Sequence, residues 1–220
     1  MILLMGAKDD AQICSVATKL DAMQQAYCVF DSSAFPQRDT IGYQPQTGEI
    51  LLNIAGKQLA LADIKAMYWR NYMRPDSGVD NAIAHKDCTS LLMSMLNVLG
   101  DKAKNSVAAV QFHQEKPRQL AVVAKLGVQI PDTYIGNDAH AVQAFCQQHA
   151  EVIFKPVSGG DYARLITAEH LSVEHLGRSL QQAPVTLQRY IKGTNIRSYV
   201  IGEQVFSAEI RSEQTDFRTD

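Results

Sequence analysis

Apolar residues recur along this chain with two different periods, and the switches between them mark out its elements. Ile2, Leu3, Leu4 and Met5 form an unbroken apolar run closed by Gly6-Ala7-Lys8-Asp9, which predicts a short buried strand and a turn. Over residues 10–25 the apolar positions are Ile13, Val16, Ala17, Leu20 and Met23, the spacing of one helical face. Tyr27-Cys28-Val29-Phe30 is strand again. A strand, a helix and a strand in such close succession imply a parallel pair with a right-handed crossover.

Between residues 40 and 61 the pattern shortens to Ile41 and Tyr43, then Ile50-Leu51-Leu52-Asn53-Ile54, then Gln58-Leu59-Ala60-Leu61. Turns at Pro45-Gln46-Thr47-Gly48 and Gly56-Lys57 make these antiparallel strands. A strand over 66–70 leads into a polar segment, and a helix over 83–99 sets Leu91, Leu92, Met95 and Leu96 on one side before Gly100. A helix over 115–126 is expected to turn Leu120, Val123 and Ala124 inward and to stop at Gly127. Residues 128–134 read as extended around Ile130-Pro131, and 138–148 as a helix capped by Asn137 or Asp138. Val152-Ile153-Phe154-Lys155 reads as a strand broken by Pro156. Strands over 163–167 and 186–191 flank a helix over 173–181, and 196–201 and 204–210 form a hairpin across Gly202-Glu203. A domain boundary is expected near residue 110, giving units 1–110 and 111–220.

Composition narrows the function classes. An apolar content of 46% excludes a disordered chain, and 21 basic against 23 acidic residues leave −2, no footprint for nucleic acid or an anionic membrane. The N-terminal apolar run has no basic residue ahead of it and is too short for a signal peptide or a membrane span. Cys14, Cys28, Cys88 and Cys146 stand singly and read as buried free thiols of a reducing compartment, so a cytoplasmic location is expected. His113 and His140 sit among polar residues and read as surface side chains. The sequence has no G-x-S-x-G, H-E-x-x-H, Walker A or G-x-G-x-x-G motif.

The remaining chemistry is cationic. Lys155 ends an apolar strand beside a turn containing Ser158, Gly159 and Gly160, where an ammonium and backbone N–H groups can reach one phosphate. A lysine marking a strand edge is the plainer alternative. Lys116 precedes Pro117 at a helix start, where its charge opposes the macrodipole unless an anion relieves it; a solvated lysine costs little there.

The run Gln188-Arg189-Tyr190-Ile191, a turn, Asn195-Ile196-Arg197 and then Val200-Ile201-Gly202 resembles a motif of the ATP-grasp family. Lys116-Pro117-Arg118-Gln119-Leu120 with Gly127 and Ile130-Pro131-Asp132-Thr133 resembles the family's opening helix and strand. Val152-Ile153-Phe154-Lys155-Pro156 resembles its lysine strand, and Asp216-Phe217-Arg218 a motif of ribosomal-protein glutamate ligases and microviridin-type peptide ligases. Met67-Tyr68-Trp69-Arg70 is similar to a strand of the latter group.

The resemblance implies an α/β fold, a small pre-ATP-grasp domain followed by a partial ATP-grasp α+β domain. It implies ATP and Mg2+ as cofactors, with Lys116 and Lys155 on the α- and β-phosphates and Ser158, Gly159 and Gly160 as a reduced lid. Gln188 opens the nucleotide motif, the backbone of Arg189, Tyr190 and Ile191 would read the adenine edge, and Asn195 would lie near the ribose. Arg218 and Arg197 would face the γ-phosphate and the acyl-phosphate formed from it. Arg189 and Asn195 depart from the acidic residues usual at their positions. The implied reaction is ATP-dependent ligation of a carboxylate, on a peptide or a small molecule, to an amine or hydroxyl nucleophile. No metal ligand is assigned, since the family's magnesium carboxylates would fall beyond Asp220; the 220 residues would be an incomplete unit that catalyses nothing alone. A non-catalytic nucleotide- or protein-binding module is the alternative, and a Rossmann-like redox protein a third. A homodimer would cover Met93 and Met95 if both are exposed.

Overall fold

A computed structural model describes residues 1–72, 74, 75, 78, 81–158 and 162–211. The chain forms two compact units, Met1–Gln111 and Phe112–Asp220.

The first unit contains β1 (Ile2–Met5), α1 (Ala11–Ala22), β2 (Tyr27–Phe30), β3 (Thr40–Gln44), β4 (Glu49–Ile54), β5 (Lys57–Ala60), β6 (Ala66–Trp69), α2 (Ala82–Leu99) and β7 (Ala103–Lys104). α3 (Val107–Gln114) then carries the chain across the boundary. One sheet has the order β2-β1-β6-β7 and is parallel throughout; β3, β4 and β5 form an antiparallel meander. β1 has a strand on each side, which is why its four residues read as an unbroken apolar run. Leu3, Met5, Phe30, Met67 and Trp69 join Leu52 of the meander and Leu92, Met95 and Leu96 of α2 in one core.

Helix ends follow ordinary capping chemistry. The Asp10 carboxylate accepts the N–H groups of Gln12 and Ile13 at 2.8 and 3.1 Å, and Asn81 caps α2 in the same way. Gly100 closes α2 at φ +50°, where a side chain would be strained. The face expected of α1 is only partly used, since Ile13 alone is buried and Met23 is 65% exposed. Met95 is fully buried and Met93 half-buried against the core, so neither needs a partner subunit to cover it. Cys14 is exposed and donates to the Lys8 carbonyl, while Cys28, Cys88 and Cys146 are half-buried; all four are free, but none is a core thiol. Burial pushes the Cys28 and Cys146 thiols above their ordinary pKa.

The second unit contains α4 (Lys116–Lys125), β8 (Thr133–Gly136), α5 (Ala139–Gln148), β9 (Val152–Pro156), β10 (Arg164–Leu165), α6 (Val173–Gln182), β11 (Val185–Arg189), β12 (Asn195–Ile201) and β13 (Gln204–Ile210). Its main sheet, β10-β9-β11-β8, is antiparallel, and β12 and β13 pair as a separate hairpin. Val152 and Leu187 pack with Val142 of α5 and Leu176 and Leu180 of α6. Pro156 does not break β9: it is the strand's last residue, opposite Val185, where its missing N–H affects one ladder position. α4 buries none of its residues; Leu120 and Val123 are half-buried, and Ala124, expected inward, is exposed.

Asp39 is the first unit's fully buried carboxylate among the described residues. Arg38 holds it through Nε and Nη2, both at 2.9 Å, and it accepts the Ala55 N–H at 3.0 Å. Ala55 sits at φ +50° in the β4–β5 turn, so this carboxylate clamps a strained corner of the meander. Burial alone would raise the Asp39 pKa, but the Arg38 and Ala55 hydrogen bonds outweigh it and hold the carboxyl below its ordinary value. A depressed folded-state pKa contributes stability above the unfolded value, about 3.9, that is lost as pH falls through the folded one. Asp39→Asn should therefore lower the unfolding free energy by about 1–3 kcal/mol at pH 7 in urea titrations. The gap between variant and wild type should shrink at pH 3; an equal gap at both pH values would contradict this account.

Candidate functional site

Register places the polar residues of the second sheet on one face. Gln188 of β11 lies opposite Thr133 of β8 and Ile153 of β9, and Thr186 lies opposite Lys155. Side chains alternate between faces, so Thr133, Lys155, Thr186 and Gln188 share the side away from the Val152, Phe154 and Leu187 core.

A directed relay links them. The Thr133 hydroxyl donates to the Pro131 carbonyl at 2.7 Å and accepts from Gln188 Nε2 at 3.0 Å. That bond orients the amide so that its Oε1 accepts from the Lys155 ammonium at 2.6 Å. Gln188 is 6% exposed, and with both ends bonded its burial carries no unsatisfied group. Thr186 Oγ1, opposite Lys155, is buried with no hydrogen-bond partner among the described residues. The cradle beside the ammonium can therefore accept one more polar contact.

Lys116 opens α4 with Pro117 behind it. Its ammonium lies 3.4 Å from both ring nitrogens of His113 and 3.5 Å from Gln119 Oε1, and burial lowers its pKa. Glu115, Pro117 and Arg118 line a groove of about 490 Å³ together with Pro156, Val157 and Ser158. The first turn of α4 and the exit of β9 thus border one space. Each lysine is held by its own element, Lys116 by helical neighbours and Lys155 by β11.

The chain leaving β11 has its own bonding. Arg189 donates its N–H to the Asp132 carbonyl at 2.9 Å, and its side chain pairs with the Asp132 carboxylate at 3.4 Å. The Tyr190 N–H goes to the Glu151 carbonyl at 2.9 Å, whereas the exposed Ile191 gives its amide to no described residue. Asn195 begins β12 opposite Ile210, and Arg197 lies over the Tyr199 ring at 5.6 Å with no ion pair to a described residue. The relay therefore brings Lys155 and Gln188 together, while Asn195 and Arg197 stand on the separate hairpin. Gly159, Gly160 and Arg218 lie outside the described residues. Thr133 was legible as the last residue of the Ile130-Pro131-Asp132-Thr133 motif, but its bond to Gln188 was not.

A second, mostly apolar cavity of about 290 Å³ lies on the Phe154 and Leu187 side, against α6. His170 stacks on Phe154 there with centroids 4.9 Å apart, and its Nδ1 accepts the Thr167 N–H at 3.1 Å.

Residues 113–220 match the family of the RimK-like ATP-grasp domain. Among curated proteins, a "Probable alpha-L-glutamate ligase" of a Picosynechococcus species is 26% identical over 137 residues, 58% of this chain and 46% of that protein. The match thus spans about half the length of that curated relative. Among solved structures, the ATP-grasp ligase PsnB complexed with a minimal precursor is 31% identical with a TM-score of 0.82, over 99% of this chain and 73% of that one. The macrocyclase MdnC of Microcystis aeruginosa, bound with precursor peptide MdnA, is 25% identical with a TM-score of 0.82, over 97% and 76% of the two chains. With its mixed α/β architecture and a lysine strand tied to the Gln188 motif, the chain belongs to the ATP-grasp ligase family.

Proposed function

We propose that this protein is an ATP-dependent carboxylate ligase acting on a peptide through an acyl-phosphate. The observation that carries the reading is the buried relay that aims the Lys155 ammonium from the polar face of the second sheet. A lysine ammonium fixed by a buried amide is ordered before any ligand arrives, and an ordered positive charge suits the binding of phosphate oxygens.

In this reading Lys155 and Lys116 neutralise the polyphosphate, and Ser158 lines the groove between the first turn of α4 and the exit of β9. Gln188 positions Lys155, and Thr133 positions Gln188. The N–H groups of Arg189 and Tyr190 are already used inside the fold, so the adenine edge is read by the Ile191 amide and by carbonyls of the same segment. Asn195 borders the ribose, and Arg197, with Arg218, Gly159 and Gly160, completes the site around the γ-phosphate. A substrate carboxylate attacks that phosphorus and expels ADP, and an amine or hydroxyl then attacks the acyl carbon, gives up its proton and displaces phosphate. Support for a peptide substrate comes from PsnB and MdnC, whose structures hold precursor peptides, and a PsnB complex also holds Mg and ADP. Among the described residues no three His, Cys, Asp or Glu side chains group to hold a metal, and no step here passes through one.

Lys155→Ala should weaken ATP binding by about 1.5–3 kcal/mol in calorimetry, the range for a hydrogen bond to a charged group. Unchanged affinity would remove this lysine from the site. Gln188→Glu would pair Lys155 with a carboxylate of the same size. It should weaken ATP binding about tenfold, roughly 1.4 kcal/mol, with the circular dichroism spectrum preserved. For the reaction itself, phosphate release should require both ATP and an acidic peptide. Release equally fast without peptide would favour a plain nucleotidase instead.

A further inference from the structure

We propose that Gln119 and His113 position the Lys116 ammonium, so that the second unit steers both of its phosphate-binding lysines with neutral side chains anchored in the fold. What the ammonium awaits rests on the ligase reading; how it is held does not.

Gln119 lies three residues after Lys116 on α4, so the two side chains share a face of the helix. Its Nε2 donates to the Phe112 carbonyl, in the last turn of α3, at 3.0 Å. A carbonyl can only accept, so that bond fixes which way the amide points. Oε1 is left facing the Lys116 ammonium, 3.5 Å away. A flipped amide would set an acceptor against the carbonyl and donors against the ammonium. Gln188 works in the same way, with its Nε2 on Thr133 and its Oε1 receiving Lys155. Two lysines from different elements are thus served by one device, a side-chain amide anchored through its nitrogen.

His113, in the last turn of α3, meets the same ammonium from the other helix. Both ring nitrogens lie 3.4 Å from Lys116 Nζ. A neutral imidazole has one acceptor nitrogen, and at equal distances either tautomer offers it. The neighbouring acid, Glu115, is engaged by Arg118 at 2.9 Å, and no described carboxylate pairs with Lys116. Burial lowers the Lys116 pKa, so the half-buried ammonium needs acceptors in place of water. Neutral acceptors meet that need without cancelling the charge, which stays available to an anion.

Contact lengths separate the two lysines. Lys155 lies 2.6 Å from its amide, whereas all three Lys116 contacts exceed the about 2.7–2.9 Å of a closed charge-assisted bond. Lys155 is a fixed charge. Lys116 is steered but unsaturated, and it can exchange a long contact for a phosphate oxygen at little cost.

The first test is made on the full chain without nucleotide. With isotope-labelled lysine, the NMR order parameter of the Lys116 Cε methylene should exceed that of Lys125, exposed at the end of the same helix. Gln119→Leu should lower it to the Lys125 level with the circular dichroism spectrum unchanged. In calorimetry Gln119→Leu should weaken ATP binding severalfold, and should do nothing further once Lys116→Ala is present. Substitutes for His113 distinguish positioning from packing. His113→Gln keeps an acceptor and should bind ATP like wild type, while His113→Phe keeps the ring and should bind severalfold more weakly. Lys116 as mobile as Lys125 in the wild type, or an order parameter unmoved by Gln119→Leu, would overturn the proposal. So would a Gln119→Leu loss that persists without Lys116, or His113→Phe binding more tightly than His113→Gln. An ordered Lys116 that responds to Gln119→Leu in a protein that binds no ATP would sink the ligase reading and leave the positioning standing.

Discussion

The side-chain amide of Gln188 sits inside the second unit's sheet, and an amide in that position must have a donor and an acceptor or destabilise the fold by a few kcal/mol. Thr133 and Lys155 meet that demand from the two neighbouring strands. The requirement fixes register as much as the hydrophobic core does. A one-residue slip of β11 would turn Gln188 into the core of Val142, Leu176 and Leu180 and bring Leu187 out to the lysine. Structure and proposed function are thus set by one bond network: the constraint that aligns β8, β9 and β11 is the one that aims the ammonium.

Where period and burial coincide, the fold was legible. β1, β2, the three-stranded meander, α2, α5, α6 and the β12–β13 hairpin all read from apolar spacing and turn residues, because each keeps one face against a core or ends in a strong turn. β7 and α3 left no such mark. β7 has two residues, and of the eight in α3 only Val107 is buried. α4 misled in the opposite way, carrying a helical apolar pattern whose residues are at most half-buried. Periodicity reports what a helix could bury, not whether a neighbour is there to receive it. Pro156 misled through a rule that is valid for strand interiors and loses force at a strand end.

The site was legible in a different currency. Lys155 and Gln188 were found as members of two separate motifs, far apart in sequence, and nothing in either predicted that one would bond the other. Long-range side-chain pairing depends on strand order, and β9 pairing with β11 rather than with β8 is a fact of topology. The bond of Thr133 to Gln188 stayed hidden for the same reason, although the residue itself stood in a motif. Arg38 and Asp39, adjacent in sequence, form a bond of equal structural weight to Ala55 that no motif announces.

Accounting for backbone donors also explains how this chain can depart from its family at Arg189 and Asn195 within the proposed site. Adenine recognition by side chains would make those departures severe. Backbone recognition makes them mild, provided one amide and neighbouring carbonyls remain available after the fold has satisfied itself. Asp132 and Glu151 take the Arg189 and Tyr190 N–H groups, and the Ile191 amide is the next in line. The Arg189 side chain, in turn, has an occupation of its own against the Asp132 carboxylate. In the proposed reading, an Arg189 side chain tied back to Asp132 just before β8 leaves the Ile191 backbone clear, so the departure changes how the chain leaving β11 is braced rather than what backbone it offers.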